Sequence, residues 1–116
     1  MKKRNRIETQ NLARHCNEDL ILAILSSGTR HGYQLALELE QRSAQFFRLN
    51  HGTLYPILHK LEKDGMISGS WSDEGPKRRR RQYSLTSKGR KYVSGEMEAW
   101  REFYTNFFSI MKDVEG

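Results

Sequence analysis

Asn50-His51-Gly52-Thr53-Leu54-Tyr55-Pro56-Ile57-Leu58-His59-Lys60-Leu61-Glu62-Lys63-Asp64-Gly65 is the run on which the fold turns. Leu54, Ile57, Leu58 and Leu61 recur at helical spacing, and at about 100° per residue they make one apolar stripe that needs a core to rest on. Gly52, Pro56, His59 and Lys63 point the other way, flanked by Thr53, Tyr55 and Lys60, and His51 stands at the head of the run. This outer face offers hydroxyls, imidazole and ammonium but no carboxylate, which suits phosphates and base edges. Either Asn50 or Thr53 can cap the helix. Pro56 favours a start near Thr53, where its missing N–H falls among donors with no intrahelical partner. Gly65 closes the other end as a residue that accepts a positive φ. An isolated helix of this kind is ordinarily an amphipathic core helix with a wet outer face, so the flanking segments decide.

Downstream, residues 66–72 and 79–85 read as strands around Asp73-Glu74-Gly75-Pro76-Lys77-Arg78, whose Gly-Pro pair signals a turn, so the two should form an antiparallel hairpin. In the second strand Tyr83 and Leu85 share a face with Arg79 and Arg81, while Arg80, Gln82 and Ser84 take the other. Thr86 is the expected N-cap of a last helix, and Gly89 allows close packing. Lys88, Arg90 and Lys91 sit in or beside its first turn, where positive charge opposes the helix dipole by a few tenths to about 1 kcal/mol each. A nearby phosphate would supply a reason for them.

Upstream, residues 17–28 read as a helix with an Asn17 cap, Glu18 and Asp19 in the first turn, and a terminal Gly28. Its nearly all-round apolar middle belongs at the centre of the fold. Thr29-Arg30-His31-Gly32 turns the chain into a second helix over 32–42, with Tyr33, Leu35, Ala36 and Leu39 facing inward and Glu38, Glu40 and Arg42 in water. Phe46-Phe47-Arg48-Leu49 reads as a brief strand.

At 116 residues the chain is one domain with a modest core. The apolar fraction of 36% is low for a compact globule and hints that another copy completes the core. The net charge is +6, yet residues 76–91 hold eight basic groups and no acidic one, leaving −2 elsewhere. Cys16 is the single cysteine, so no intrachain disulfide can form, and a buried structural thiol is its expected role. The basic N-terminal residues lack an apolar segment behind them, and no run approaches the roughly 18 apolar residues of a membrane span. A soluble, cytosolic chain is expected, with residues 1–14 as a flexible basic arm.

In the final helix Val93, Met97, Trp100, Tyr104, Phe107, Met111 and Val114 alternate spacings of four and three, an a/d seam over three heptads widened by Phe103, Phe108 and Ile110. So broad an aromatic face exceeds what one small domain can cover, and a second copy is the economical partner. Packing on its own first helix is the alternative, and both can hold.

The order helix, helix, helix, strand, charged turn, strand, helix is that of an α+β, mostly helical, winged helix-turn-helix over residues 15–87, followed by a dimerisation helix over 88–116. In that arrangement the third helix enters the DNA major groove and the hairpin reaches the backbone or minor groove. Lys77, Arg78, Arg79, Arg80 and Arg81 are then the wing's phosphate contacts. Lys60, Lys63 and Lys88 add electrostatic docking, and Thr53, Tyr55 and His59 read base edges. A solvated charge run is the ordinary alternative for five consecutive cations. Catalysis and metal binding find little support: His15, His31, His51 and His59 are scattered, there is no Cys-x-x-Cys or Gly-rich phosphate loop, and His15-Cys16 would need distant partners. No cofactor is expected. The different-class alternative is a winged helix used for protein interaction, with only generic DNA affinity.

The chain resembles the PadR family of bacterial and archaeal transcriptional regulators. The resemblance rests on Leu20-Ile21-Leu22-Ala23-Ile24-Leu25, His31-Gly32-Tyr33, Gly52-Thr53-Leu54-Tyr55-Pro56, Leu58-x-x-Leu61-Glu62-x-x-Gly65-Met66-Ile67 and Arg81-x-Tyr83-x-Leu85-Thr86-x-x-Gly89, about residues 15 to 92. Its single last helix is similar to the short subfamily. The resemblance implies a homodimeric repressor that binds an inverted-repeat operator and is released by a small molecule. By similarity Tyr33 and the segment 52–56 approach DNA. Some short members bind flat aromatic or drug-like compounds in an apolar pore at the dimer interface, lined by a Trp that Trp100 matches. Met97, Phe103, Tyr104, Phe107 and Met111 would line such a pore or simply fill it as dimer core.

Overall fold

The structure is a computed structural model that describes residues 6–73 and 79–115. Lys77 and Arg78 of the expected wing lie outside the described residues. A 3-10 turn (Thr9–Asn11) leads into α1 (Leu12–Leu25), followed by β1 (Arg30–His31), α2 (Gly32–Arg42), α3 (His51–Lys63), β2 (Ile67–Asp73), β3 (Arg79–Leu85) and α4 (Ser87–Met111), which ends in a second 3-10 turn (Lys112–Glu115). The three strands form one antiparallel sheet in the order β1-β3-β2. This is the helical, winged architecture that the element order predicts.

The stripe on α3 goes where its periodicity sends it. Leu54, Ile57, Leu58 and Leu61 are buried against Ile21, Leu22 and Leu25 of α1, Leu35 and Leu39 of α2, and Ile67 and Tyr83 of the sheet. At its C-terminus Gly65 takes φ +78°, its N–H donates to the Glu62 carbonyl (3.0 Å), and the Met66 N–H donates to that of Leu61 (2.9 Å). That pair is a Schellman motif, and it turns the chain directly into β2. Thr86 then fastens α4 to the same corner: its hydroxyl donates to the Gly65 carbonyl (2.6 Å) and accepts from the Gly89 N–H (3.0 Å). Gly89 is required there, because a Cβ would sit 2.1 Å from the Met66 carbonyl oxygen.

Several local expectations are corrected. α1 begins at Leu12, not at an Asn17 cap; Glu18 and Asp19 are interior to the helix and buried, because each finds a tertiary partner that outweighs the local capping signal. Ile7 is also buried, so the segment before residue 15 is not arm throughout. Tyr33 stands 41% exposed instead of facing inward. α3 is capped by Asn50, whose side chain accepts from the Thr53 N–H (2.9 Å), so Pro56 lies within the helix and not at its start. Its missing N–H falls on the exposed side, where water can satisfy the carbonyl left without a donor.

The segment 46–49 is not a strand. Ala44 and Gln45 adopt positive φ (51° and 68°) to end α2, and β3 already has β1 on one side and β2 on the other. The third strand is instead the Arg30-His31 pair, read above as a turn, with Arg30 opposite Tyr83 and His31 opposite Gln82. Two residues are too few to show a period.

Candidate nucleic-acid interface

On α3, His51, Gly52, Thr53, Tyr55, Pro56, His59, Lys60 and Lys63 are all exposed. They differ in what already engages them. Tyr55 has its ring edge-on to His51 (centroids 5.7 Å), and a Cβ on Gly32 would lie 3.4 Å from it. Lys60 pairs with Glu18 (3.2 Å) and Asp64 (3.3 Å). Burial works against its charge, but the two carboxylates outweigh burial and its pKa is raised.

Arg80 and Arg81 alternate along β3, yet both side chains reach the same basin. Arg80 donates to the Tyr33 hydroxyl (2.8 Å) and lies 4.8 Å from the centre of that ring, while Tyr33 stacks on His31 (5.8 Å, 6°). Arg81 donates to Glu62 of α3 (2.5 Å) and lies over Trp71 (5.5 Å) and Tyr83 (5.9 Å). These side chains surround an open basin of about 620 Å³ between α2, α3 and the hairpin, lined by His31, Tyr33, Tyr55, Trp71, Arg80, Arg81 and Tyr83. Lys88 has a structural use: its ammonium donates to the Asp64 carbonyl at the C-terminus of α3 (2.8 Å), where the helix dipole is negative. Its position at the start of α4 therefore has a reason other than a phosphate.

The second surface is the α4 seam. Met97, Tyr104, Phe107 and Met111 are 44–64% exposed, whereas Trp100 and Phe103 are half-buried. Trp100 is anchored to α1 by its N–H, which donates to Asp19 Oδ2 (2.8 Å), and its ring meets His15 (5.5 Å) and Phe103 (5.5 Å) edge-on. Leu20, Ala23, Phe47, Val93, Met97, Trp100, Phe103 and Tyr104 line a mostly apolar groove of about 900 Å³, with Cys16, Asp19 and Glu96 in its wall. Cys16 is half-buried, and burial, then Asp19, push its thiol upward.

Beneath Trp100 lies a polar cluster that sequence reasoning missed. His15, Asp19 and Glu96 are all buried; His15 Nε2 is 3.2 Å from Asp19 Oδ2 and closer still to Glu96 Oε2. The Glu8 backbone N–H donates to His15 Nδ1 (2.9 Å). Burial first and Glu96 next push the Asp19 carboxyl up to about 8, against the lowering effect of the Trp100 N–H. Tyr92 is raised as well, by burial and by the charges of Asp19, Glu96 and Glu18. The i, i+4 spacing of His15 and Asp19 was visible in sequence; Glu96, 81 positions from His15, was not.

Three helices, a two-residue strand and a hairpin, joined at Gly65 to the back of α3, define the winged helix-turn-helix class. The chain belongs to the transcriptional regulator PadR-like family, whose description its residues 21–95 match; it is a transcriptional regulator and not an enzyme. It is 29% identical over 98 residues to an uncharacterized protein of Lysinibacillus sphaericus, covering 84% of this chain and 90% of that one. Against the negative transcriptional regulator PadR of Bacillus subtilis it is 30% identical over 80 residues, 69% of this chain but 42% of that protein. The crystal structure of that PadR in complex with operator DNA superposes with a TM-score of 0.64 at 28% identity, over 69% of this chain and 45% of that one. A Streptococcus transcriptional regulator matches along nearly its whole length: TM-score 0.73, 33% identity, 90% of this chain and 99% of that one. Among the described residues no helix is long and apolar enough to cross a membrane.

Proposed function

We propose that this protein is a cytoplasmic, homodimeric repressor that binds an inverted-repeat operator and is released by a flat aromatic or drug-like ligand held between the α4 helices. The observation that carries the DNA part is the outer face of α3, an exposed run of hydroxyl, imidazole and ammonium groups beside an arginine held on Tyr33. In this reading Thr53, Tyr55 and His59 meet base edges in the major groove. Arg80 and its neighbours 77–79 meet phosphates, and Lys63 adds charge at the groove wall. The complex of the Bacillus subtilis relative with operator DNA supports the class of partner. The groove along α4, with Trp100 in its wall, supports the ligand part.

The test is fluorescence-anisotropy binding to the DNA upstream of its own gene and to a scrambled copy, near physiological salt. Preference for the native sequence by about a thousandfold or more is expected, together with a steep linear fall of log affinity with log salt. Weak, equal binding to both would move the reading to a protein-interaction module. For the ligand, Trp100 emission should respond to members of a planar aromatic library; indifference to all of them would remove the effector from the proposal.

A further inference from the structure

We propose that His15, Asp19 and Glu96 hold a divalent first-row metal ion, Zn²⁺ or Mn²⁺, between α1 and α4. Each offers one ligand atom, and the three atoms lie within 4.8 Å of one another, close enough for one ion to touch all three. The ligand set of one imidazole and two carboxylates, without a thiolate, suits these ions over softer ones.

The chemistry of the cluster suits a divalent ion. Two carboxylates converge on one imidazole nitrogen at residues that are 2–8% exposed. A divalent ion neutralises the two carboxylates and leaves the imidazole neutral. Asp19 Oδ1 is buried without a hydrogen-bond partner, while its other oxygen accepts from the Trp100 N–H. Oδ2, the oxygen that meets His15 Nε2, is thus held by an outer hydrogen bond of the kind that orients metal ligands elsewhere. Asp19 and Glu96 also form part of the wall of the α4 groove, which supplies an access route and room for water to complete the coordination.

One contact opposes the ion, and its size can be judged. The Glu8 N–H donates to His15 Nδ1, which puts the ring proton on Nε2. Ligation through Nε2 moves that proton to Nδ1 and releases the Glu8 amide. Glu8 is exposed, so water takes the amide over, and the loss of such a hydrogen bond lowers affinity roughly tenfold. Three ligands outweigh one peripheral hydrogen bond.

The inference does not rest on DNA binding and is tested without DNA. Full-length protein carrying Trp71→Phe, so that Trp100 is the sole indole, is stripped with chelator and given Zn²⁺ or Mn²⁺ alone. After desalting, elemental analysis should find one ion per chain, with a saturable change in Trp100 emission. Its Tm should rise by about 10 °C at a hundredfold excess over the dissociation constant. Glu96→Gln and Asp19→Asn keep shape but remove charge, and each should weaken binding at least about a hundredfold with the helical circular dichroism retained; if Asp19→Asn does not fold, Glu96→Gln carries the comparison. Metal that washes out of the parent protein overturns the proposal. So does binding unchanged in Glu96→Gln, which would place the ion on surface histidines instead.

Discussion

Arg80 and Arg81 are adjacent in sequence and alike in chemistry, yet strand alternation gives them different work. Arg81 crosses from the hairpin to Glu62 on α3, with both side chains about one-third exposed, so it ties the wing to the helix beside it. Arg80 is held by Tyr33 of α2. Arg80→Ala is therefore expected to weaken operator and scrambled DNA alike and to reduce the salt slope by about 1, with the denaturation midpoint unmoved. Arg81→Ala is expected to lower stability by about 1 kcal/mol, after discounting its charged hydrogen bond for solvent screening, and a urea titration reads it directly. Tyr55→Ala should narrow the gap between operator and scrambled DNA; equal loss on both would remove Tyr55 from base reading. In the sequence all five cations from 77 to 81 look equivalent. Alternation separates Arg80 from Arg81, but that Arg81 finds Glu62 depends on how α3 lies against the sheet, which no local pattern states.

Elements were legible where their period is long and their ends are chemically marked. α2, β3, the Gly65 terminus of α3 and the Thr86 cap of α4 all follow local signals. The failures share a cause: the deciding partner is distant in sequence. Asn17, Glu18 and Asp19 resemble a helix start, but Glu18 meets Lys60 and Asp19 meets Trp100, so α1 runs on past them toward the N-terminus. β1 exists only because β3 offers it an edge. The junction of α3, β2 and α4 gives a comparison of two glycines. Gly89→Ala drives a Cβ into the backbone oxygen of Met66, which cannot retreat without moving β2, and should cost about 3 kcal/mol or more. Gly65→Ala meets nothing nearer than the Lys88 side chain at 3.7 Å and pays only for its positive φ, about 1–2 kcal/mol. Urea midpoints should rank them in that order, and the reverse would mean that α4 is not packed against that corner.

The whole molecule is longer than its chain length requires. The radius of gyration is 16.2 Å, against about 13 Å for a compact globule of this size, and the principal extents are 62 × 38 × 23 Å. α4 accounts for the difference: its 25 residues reach about 37 Å, and residues 104–111 are exposed although five of the eight are large and hydrophobic. Phe107 stacks on Phe103 and meets Phe108, which packs on Tyr104, yet all three of Tyr104, Phe107 and Phe108 stay 46–64% exposed. A second copy laid along α4 would cover this seam and place two α3 faces on one side of the assembly. Sedimentation equilibrium at micromolar concentration should accordingly return twice the 13.7 kDa chain mass. Tyr104→Glu combined with Phe107→Glu should return the single mass, with helicity up to residue 100 kept by the Trp100–Asp19 anchor. Because the reading heads of a dimer must fall in successive major grooves about 34 Å apart, the same double substitution should abolish tight operator binding while leaving the weak, salt-dependent affinity of one half. A parent protein that sediments as a single chain at these concentrations would refute the two-fold arrangement, and with it any effector that works by changing the separation of the two α3 helices.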